Sequence, residues 1–167
     1  RFPRPPGCDR VCGTCRVRLR LSILVVGKYL FVPSVGCRLV ALLTGIAAPD
    51  FELANQFGQR IRLSEFRGSK PVALVFFPLA FSPTCTSELC ELRDNQSLFA
   101  AADVELIGIS VDSKATLRAW AEHEGFGFTL LADFWPHGGV ATQYGVFVQE
   151  KGFANRATFL IDRDGVI

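Results

Sequence analysis

The chain has 167 residues, with 18 Lys and Arg against 16 Asp and Glu and a formal net charge of +2. So small an excess gives the whole molecule no footing as a polyelectrolyte binder. Nearly half of it (49%) is apolar and no low-complexity tract interrupts it, which suits one globular domain with a sizeable core.

The charge is unevenly spread. Residues 1–42 hold eight Lys or Arg against one acidic residue, Asp9, a net of +7, whereas residues 49–167 hold ten against fifteen, a net of −5. Cys8, Cys12, Cys15 and Cys37 also lie in the first segment. Cys12-Gly13-Thr14-Cys15 has the C-x-x-C spacing of zinc and dithiol sites. No His lies nearby, no second pair completes a four-ligand set and no buried strand precedes it, so no metal or other cofactor is assigned. The run Leu21 to Gly45 is apolar but broken by Lys28, Pro33 and Arg38, and its uninterrupted part is too short to span a bilayer. Its basic lead-in has some likeness to a signal or transit segment, without a clear small-residue cleavage site. The chain starts at Arg1 and contains no methionine. Residues 1–42 are therefore read as a basic, Cys-containing extension, disordered or an artefact of translation begun upstream of the true start, and residues 43–167 as the folded domain. A nucleic-acid partner would rest on that extension alone, and neither nucleic acid nor membrane is expected.

Strand-like runs at Val72–Phe77, Val104–Val111 and Ala157–Ile161 alternate with helical runs at Pro83–Ala101, Ser113–Glu124 and about Gly138–Gln143. Such alternation predicts an α/β sandwich with a central sheet. Asn155-Arg156 and Asp164-Gly165 are turn signals, and His123 and His137 read as surface and loop residues.

The most informative stretch joins the first strand to the first helix. Val72 to Phe77 is apolar and rich in β-branched and aromatic residues, as a fully buried strand should be, and Pro78 ends it. Ser82 followed by Pro83 is a helix start: an N-cap hydroxyl, then a proline whose missing N–H costs nothing at the first helical position. Cys85 then falls at about the third helical residue. There, free backbone N–H groups and the helix dipole favour an anionic sulfur. A buried structural cysteine is the plainer alternative.

Pro78-x-x-x-Ser82-x-x-Cys85 resembles the active-site motif P-x-x-x-[TS]-x-x-C of the peroxiredoxins, thiol peroxidases that reduce hydroperoxides without metal or haem. Ala47-Ala48-Pro49-Asp50-Phe51-Glu52-Leu53 is similar to the opening that family members carry ahead of their first hairpin, and Gln59 to Gly68 resembles the segment that follows. Asp133-Phe134-Trp135-Pro136-His137-Gly138, Tyr144-Gly145-Val146-Phe147 and Ala154 to Asp162 look most like the AhpE-type branch. The likeness runs from about Leu43 to Ile167. It implies a thioredoxin fold with a mixed central sheet, and a chain that stops where relatives continue with a further strand and helix, leaving one sheet edge without its cover.

The resemblance also implies roles. Cys85 would be the nucleophile and Arg156, just ahead of the apolar run Ala157–Ile161, the cation beside it. A guanidinium stays charged and carries five donors, so it can hold both the sulfur and a developing oxyanion. Ser82 would offer its hydroxyl to sulfur or peroxide, the N–H groups of Thr84 and Cys85 would complete the donors, and Pro78 would shield the thiolate from water. Glu88 lies three residues after Cys85 on nearly the same helix face and could orient Arg156; a solvated first-turn glutamate is the bland alternative.

Cys90 is the candidate second thiol. Its C-x-x-x-x-C spacing from Cys85 resembles the peroxiredoxin Q (bacterioferritin comigratory protein) branch, where such a cysteine resolves the sulfenic acid, whereas many AhpE-type proteins rely on an outside thiol. Five helical residues advance ~7.5 Å and turn about 140°, separating the two Cα atoms by roughly 8–9 Å. Disulfides need Cα atoms within ~7 Å. The helix start is therefore expected to unwind if the two are to join. The expected function is reduction of hydrogen peroxide or organic hydroperoxides, with a thioredoxin-like or mycoredoxin-like reductant, a homodimeric assembly and a cytoplasmic setting. A thiol–disulfide oxidoreductase or a non-catalytic binding module on the same fold are the alternatives; the former would need a cysteine where Glu88 stands.

Overall fold

The computed structural model describes residues 44–167 and, nearer the N-terminus, the backbone of one short antiparallel hairpin, β1 (Leu24–Val26) and β2 (Tyr29–Phe31). The expectations for the rest of residues 1–42, the Cys12/Cys15 pair included, lie outside the described residues. Two compact units divide the chain, Arg1–Val35 and Gly36–Ile167.

The larger unit is built on a six-stranded mixed sheet. Its strands are β3 (Glu52–Asn55), β4 (Arg60–Arg62), β5 (Val72–Phe76), β6 (Glu105–Ser110), β7 (Thr129–Ala132) and β10 (Ala157–Ile161), in the order β10-β5-β6-β7-β3-β4. The central strands β5, β6 and β7 are parallel, and β3, β4 and β10 pair antiparallel to their neighbours. A sheet of this kind is covered on both faces, which is why β5 is a continuous apolar run rather than an alternating one. Every residue of β5 is buried. Val72, Leu74 and Phe76 face one core, with Ile107, Tyr144 and Phe159; Ala73 and Val75 face the other, with Phe77, Leu89, Leu117 and Trp120. Helices α1 (Pro83–Asp94) and α3 (Lys114–Glu124) cover the second face, and the short α4 (Gly139–Gln143) the first. The α/β sandwich expected of a thioredoxin fold is thus present. β10 is an edge strand, with Phe159 and Ile161 turned to the core and Leu160 to solvent.

Some local expectations are corrected. The run Pro83–Ala101 forms two helices, α1 and α2 (Gln96–Ala101), because Asn95 leaves helical geometry (φ −103°, ψ 10°) and its side-chain amide donates to the Glu91 carbonyl at 2.8 Å. An asparagine that satisfies backbone groups itself competes with helix propagation. α3 is bounded as its ends suggest: the Ser113 hydroxyl accepts from Thr116 N–H, and Gly125 closes the helix at φ 72°. β7 and the small hairpin β8 (Phe147–Val148) with β9 (Phe153–Ala154) have no counterpart in the expected elements. No helix among the described residues is long and apolar enough to cross a membrane.

Candidate active site

The site forms where β5 and β6 end. Phe77 stays tied to β6 through its N–H to the Ile109 carbonyl (3.1 Å), and Pro78 then releases the chain. The loop that follows is anchored by Asp112, just past β6. One carboxylate oxygen of Asp112 accepts from both Ala80 N–H and the Ser110 hydroxyl, each at 2.8 Å. Phe81 turns the loop at φ 59°, a left-handed conformation unfavourable for a bulky side chain. Its ring lies against Trp120 and His123, with centroids 6.1 and 6.0 Å away.

Ser82 takes the N-cap position and Pro83 opens α1, as the sequence suggests. The capping itself differs. The Ser82 hydroxyl makes no cap bond and instead donates to the Leu79 carbonyl at 3.1 Å, which stiffens the loop rather than the helix. The first N–H to close into the helix is that of Thr86, onto the Ser82 carbonyl at 2.9 Å. Those of Thr84 and Cys85 precede it, so the helix itself supplies them no acceptor.

Cys85 sits at the third helical position and is fully buried, among Phe77, Leu89 and the rest of that core. Burial would suit an inert cysteine, were it not for what faces it. Arg156 Nη2 donates to Cys85 Sγ at 3.1 Å, while Arg156 Nε donates to Glu88 Oε2, also at 3.1 Å. One guanidinium therefore spans the sulfur and the carboxylate one helical turn away. Sheet register explains how a residue 71 positions downstream arrives there. β10 runs antiparallel to β5 with Ala157 opposite Phe76, so the residue before Ala157 lands beside the end of β5 and the start of α1. The Asn155 N–H to the Val146 carbonyl (2.8 Å) holds the approach.

Burial pushes the Glu88 carboxyl above its ordinary range; the charge and hydrogen bond of Arg156 pull it back only in part. The side chains of Arg156 and Glu88 remain about one-third exposed, at 32% and 29%. Pro78 is half-buried at the mouth of the loop and Thr84 is exposed.

Cys90 lies farther along the same unbroken helix, buried and, like Cys85, not joined in a disulfide. Its Sγ donates to Glu124 Oε2 at 3.7 Å. Sequence reasoning singled out neither Asp112 nor Glu124. Asp112 follows a strand whose end could be read, but nothing local marks its partner Ala80; Glu124 precedes the glycine that ends α3, where a solvated charge is the usual expectation. His137 is held in its own loop region, its Nε2–H donating to the Gly152 carbonyl at 2.6 Å. Among the described residues no group of three or more His, Cys, Asp or Glu side chains is placed to hold a metal ion.

Residues 44–167 match the model of the AhpC/TSA family. Alkyl hydroperoxide reductase E of Mycobacterium tuberculosis is 50% identical over 123 residues, covering 74% of this chain and 80% of that protein. Peroxiredoxin Bcp of Escherichia coli is 40% identical over 133 residues, covering 75% and 83%. Among solved structures, peroxidoxin BcpB of Mycobacterium tuberculosis superposes with a TM-score of 0.67 at 38% identity, over 74% of this chain and 80% of that one. A sulfur at a helix start, gripped by an arginine that sheet register delivers, is thus found in a chain that belongs to the AhpC/TSA family and is a peroxiredoxin, a thiol-dependent peroxidase.

Proposed function

We propose that Cys85 is the peroxidatic nucleophile and that Arg156 is the residue that equips it. The contact between Arg156 Nη2 and Cys85 Sγ carries this reading. A guanidinium against sulfur favours the thiolate, and the N–H groups of Thr84 and Cys85 add the partial positive charge of the helix start. The thiolate attacks the distal oxygen of a hydroperoxide in line with the O–O bond. The S–O bond forms, the O–O bond breaks, and the alkoxide or hydroxide leaves and takes a proton from solvent, giving Cys85 sulfenic acid and an alcohol or water. Charge grows on the departing oxygen, where the positive charge of the Arg156 guanidinium stabilises it. Glu88 fixes the orientation of that guanidinium. Pro78 and the buried setting of Cys85 limit water, and Ser82, held by the Leu79 carbonyl, sets the loop from which a peroxide is received.

Hydroperoxide is the substrate class and a thiol the reductant. Hydrogen peroxide and small organic hydroperoxides suit the site, and the relative named an alkyl hydroperoxide reductase supports the organic ones. Cys90 is the resolving thiol: its S–H condenses with the sulfenic acid of Cys85, giving a disulfide and one water. Both cysteines lie in the continuous α1, so this step requires the helix to unwind, which brings the fully buried Leu89 into water. A thioredoxin-like or mycoredoxin-like donor then restores both thiols, in a homodimeric enzyme of the cytoplasm. Intact-mass analysis after one equivalent of hydrogen peroxide, with peptide mapping to separate these thiols from Cys8, Cys12, Cys15 and Cys37, tests the reading. Loss of two hydrogens at Cys85 and Cys90 supports it in full; one oxygen on Cys85 alone would replace Cys90 with an outside thiol. An unchanged mass would refute it.

A further inference from the structure

α1 carries two buried thiols that meet opposite charges. Cys85 faces the guanidinium of Arg156, whereas Cys90 faces the carboxylate of Glu124 at 3.7 Å. Glu124 is itself buried, only 9% exposed, and its other oxygen, Oε1, is 3.0 Å from His123 Nδ1. A buried carboxylate needs donors on both oxygens. The S–H of Cys90 is one of them. Removing that proton would break the hydrogen bond and set a thiolate against a carboxylate, and both effects oppose ionisation.

We propose that Glu124 is a positioning residue that keeps Cys90 as a neutral thiol in the folded, reduced protein, so that the two cysteines of one helix differ in protonation and in reactivity. The groups around Cys90 fit this division. α1 contributes Arg93, whose Nη1 donates to the Glu124 backbone carbonyl at 2.6 Å and whose Nε donates to Asp94 at 2.9 Å. α3 contributes Glu124 and His123. The strands and the following loop contribute apolar side chains, among them Ala73, Val75, Leu106, Phe126 and Phe128. The consequence for the reaction is an order of events. While α1 is intact, peroxide meets a single reactive thiolate, and Cys90 is spared oxidation. Unwinding lifts Cys90 from Glu124 and releases it for condensation with the sulfenic acid.

The inference rests on Cys85 being the peroxidatic thiol, but its test does not pass through peroxidase activity. In the full chain carrying Cys85→Ser, the rate of Cys90 alkylation by iodoacetamide is followed by peptide mapping from pH 6 to 10. With Glu124 in place, the profile should rise above the ordinary thiol midpoint of about 8.5. Glu124→Gln, close in shape and uncharged, should move the midpoint down by roughly one unit, about tenfold faster at pH 7.5, with the same plateau at high pH. Glu124→Asp restores the charge and should move it back towards wild type. A change in access alone would raise the rate equally at every pH. That pattern, or a Glu124 profile already at the ordinary midpoint, overturns the proposal, and the second reading needs no variant of Glu124 to fold.

Discussion

Replacing Arg156 with glutamine isolates what the guanidinium does. The side chain remains polar and of similar length, but the donor 3.1 Å from Cys85 Sγ loses its charge. A hydrogen bond involving a charged partner contributes about 1.5–3 kcal/mol, and each 1.36 kcal/mol is tenfold in rate. Stopped-flow consumption of hydrogen peroxide in a single turnover should therefore slow roughly 10- to 150-fold. Arg156→Lys should fall between, since an ammonium keeps the charge but lacks the fork that reaches Glu88 and Cys85 together. A stability signature accompanies the kinetic one. The carboxyl of Glu88 is already raised by burial, and Arg156 opposes that rise. Without the cation it rises further. A carboxyl raised on folding supports stability below its unfolded value and loses that support as pH climbs through the folded one. The melting temperature of Arg156→Gln should thus trail wild type most at pH 7 and converge with it below about pH 4.5. A single-turnover rate within about twofold of wild type, in a protein with native circular dichroism, would refute the assignment of Arg156.

Glu88→Gln should separate stability from activity. Because burial outweighs the ion pair, removing the ionisable group should raise the melting temperature near neutral pH, with the gain vanishing below about pH 4.5, while peroxide reduction slows as the Arg156 fork loses its anionic anchor. Thermal melts across pH alongside turnover check both halves. Asp112→Ala removes the acceptor shared by Ala80 N–H and the Ser110 hydroxyl, so it should cost about 1–3 kcal/mol in chemical denaturation and lower peroxidase activity without altering the number of reactive thiols.

What could be read from sequence, and what could not, follows from the range of the interactions. Ser82, Pro83 and Cys85 are placed by a few adjacent residues, so the position of the sulfur in the first helical turn was legible. The six consecutive apolar residues ending at Phe77 likewise announced a strand buried on both faces. Arg156 was found through a family motif rather than a local rule, because its place depends on Ala157 pairing with Phe76 across the sheet. Glu124 had no such motif. Its side chain becomes a partner of Cys90 only when α3 packs against α1, and on α3 alone it is an ordinary charge near a helix end. The Ser82 hydroxyl shows the limit of local reasoning itself: an N-cap serine can point either way, and the carbonyl of Leu79, presented by the loop that Asp112 anchors, captures it. Thr129–Ala132 is too short for its period to declare a strand, and only its pairing with Ile107–Ser110 on one side and Ala54–Asn55 on the other makes it one.

The most direct measurement is chemical trapping of the first oxidised species. The full chain carrying Cys90→Ser, treated with one equivalent of hydrogen peroxide in the presence of dimedone, should yield a single sulfenic-acid adduct that maps to Cys85 and disappears in Cys85→Ser. An adduct on another cysteine while Cys85 remains an untouched thiol would contradict the account.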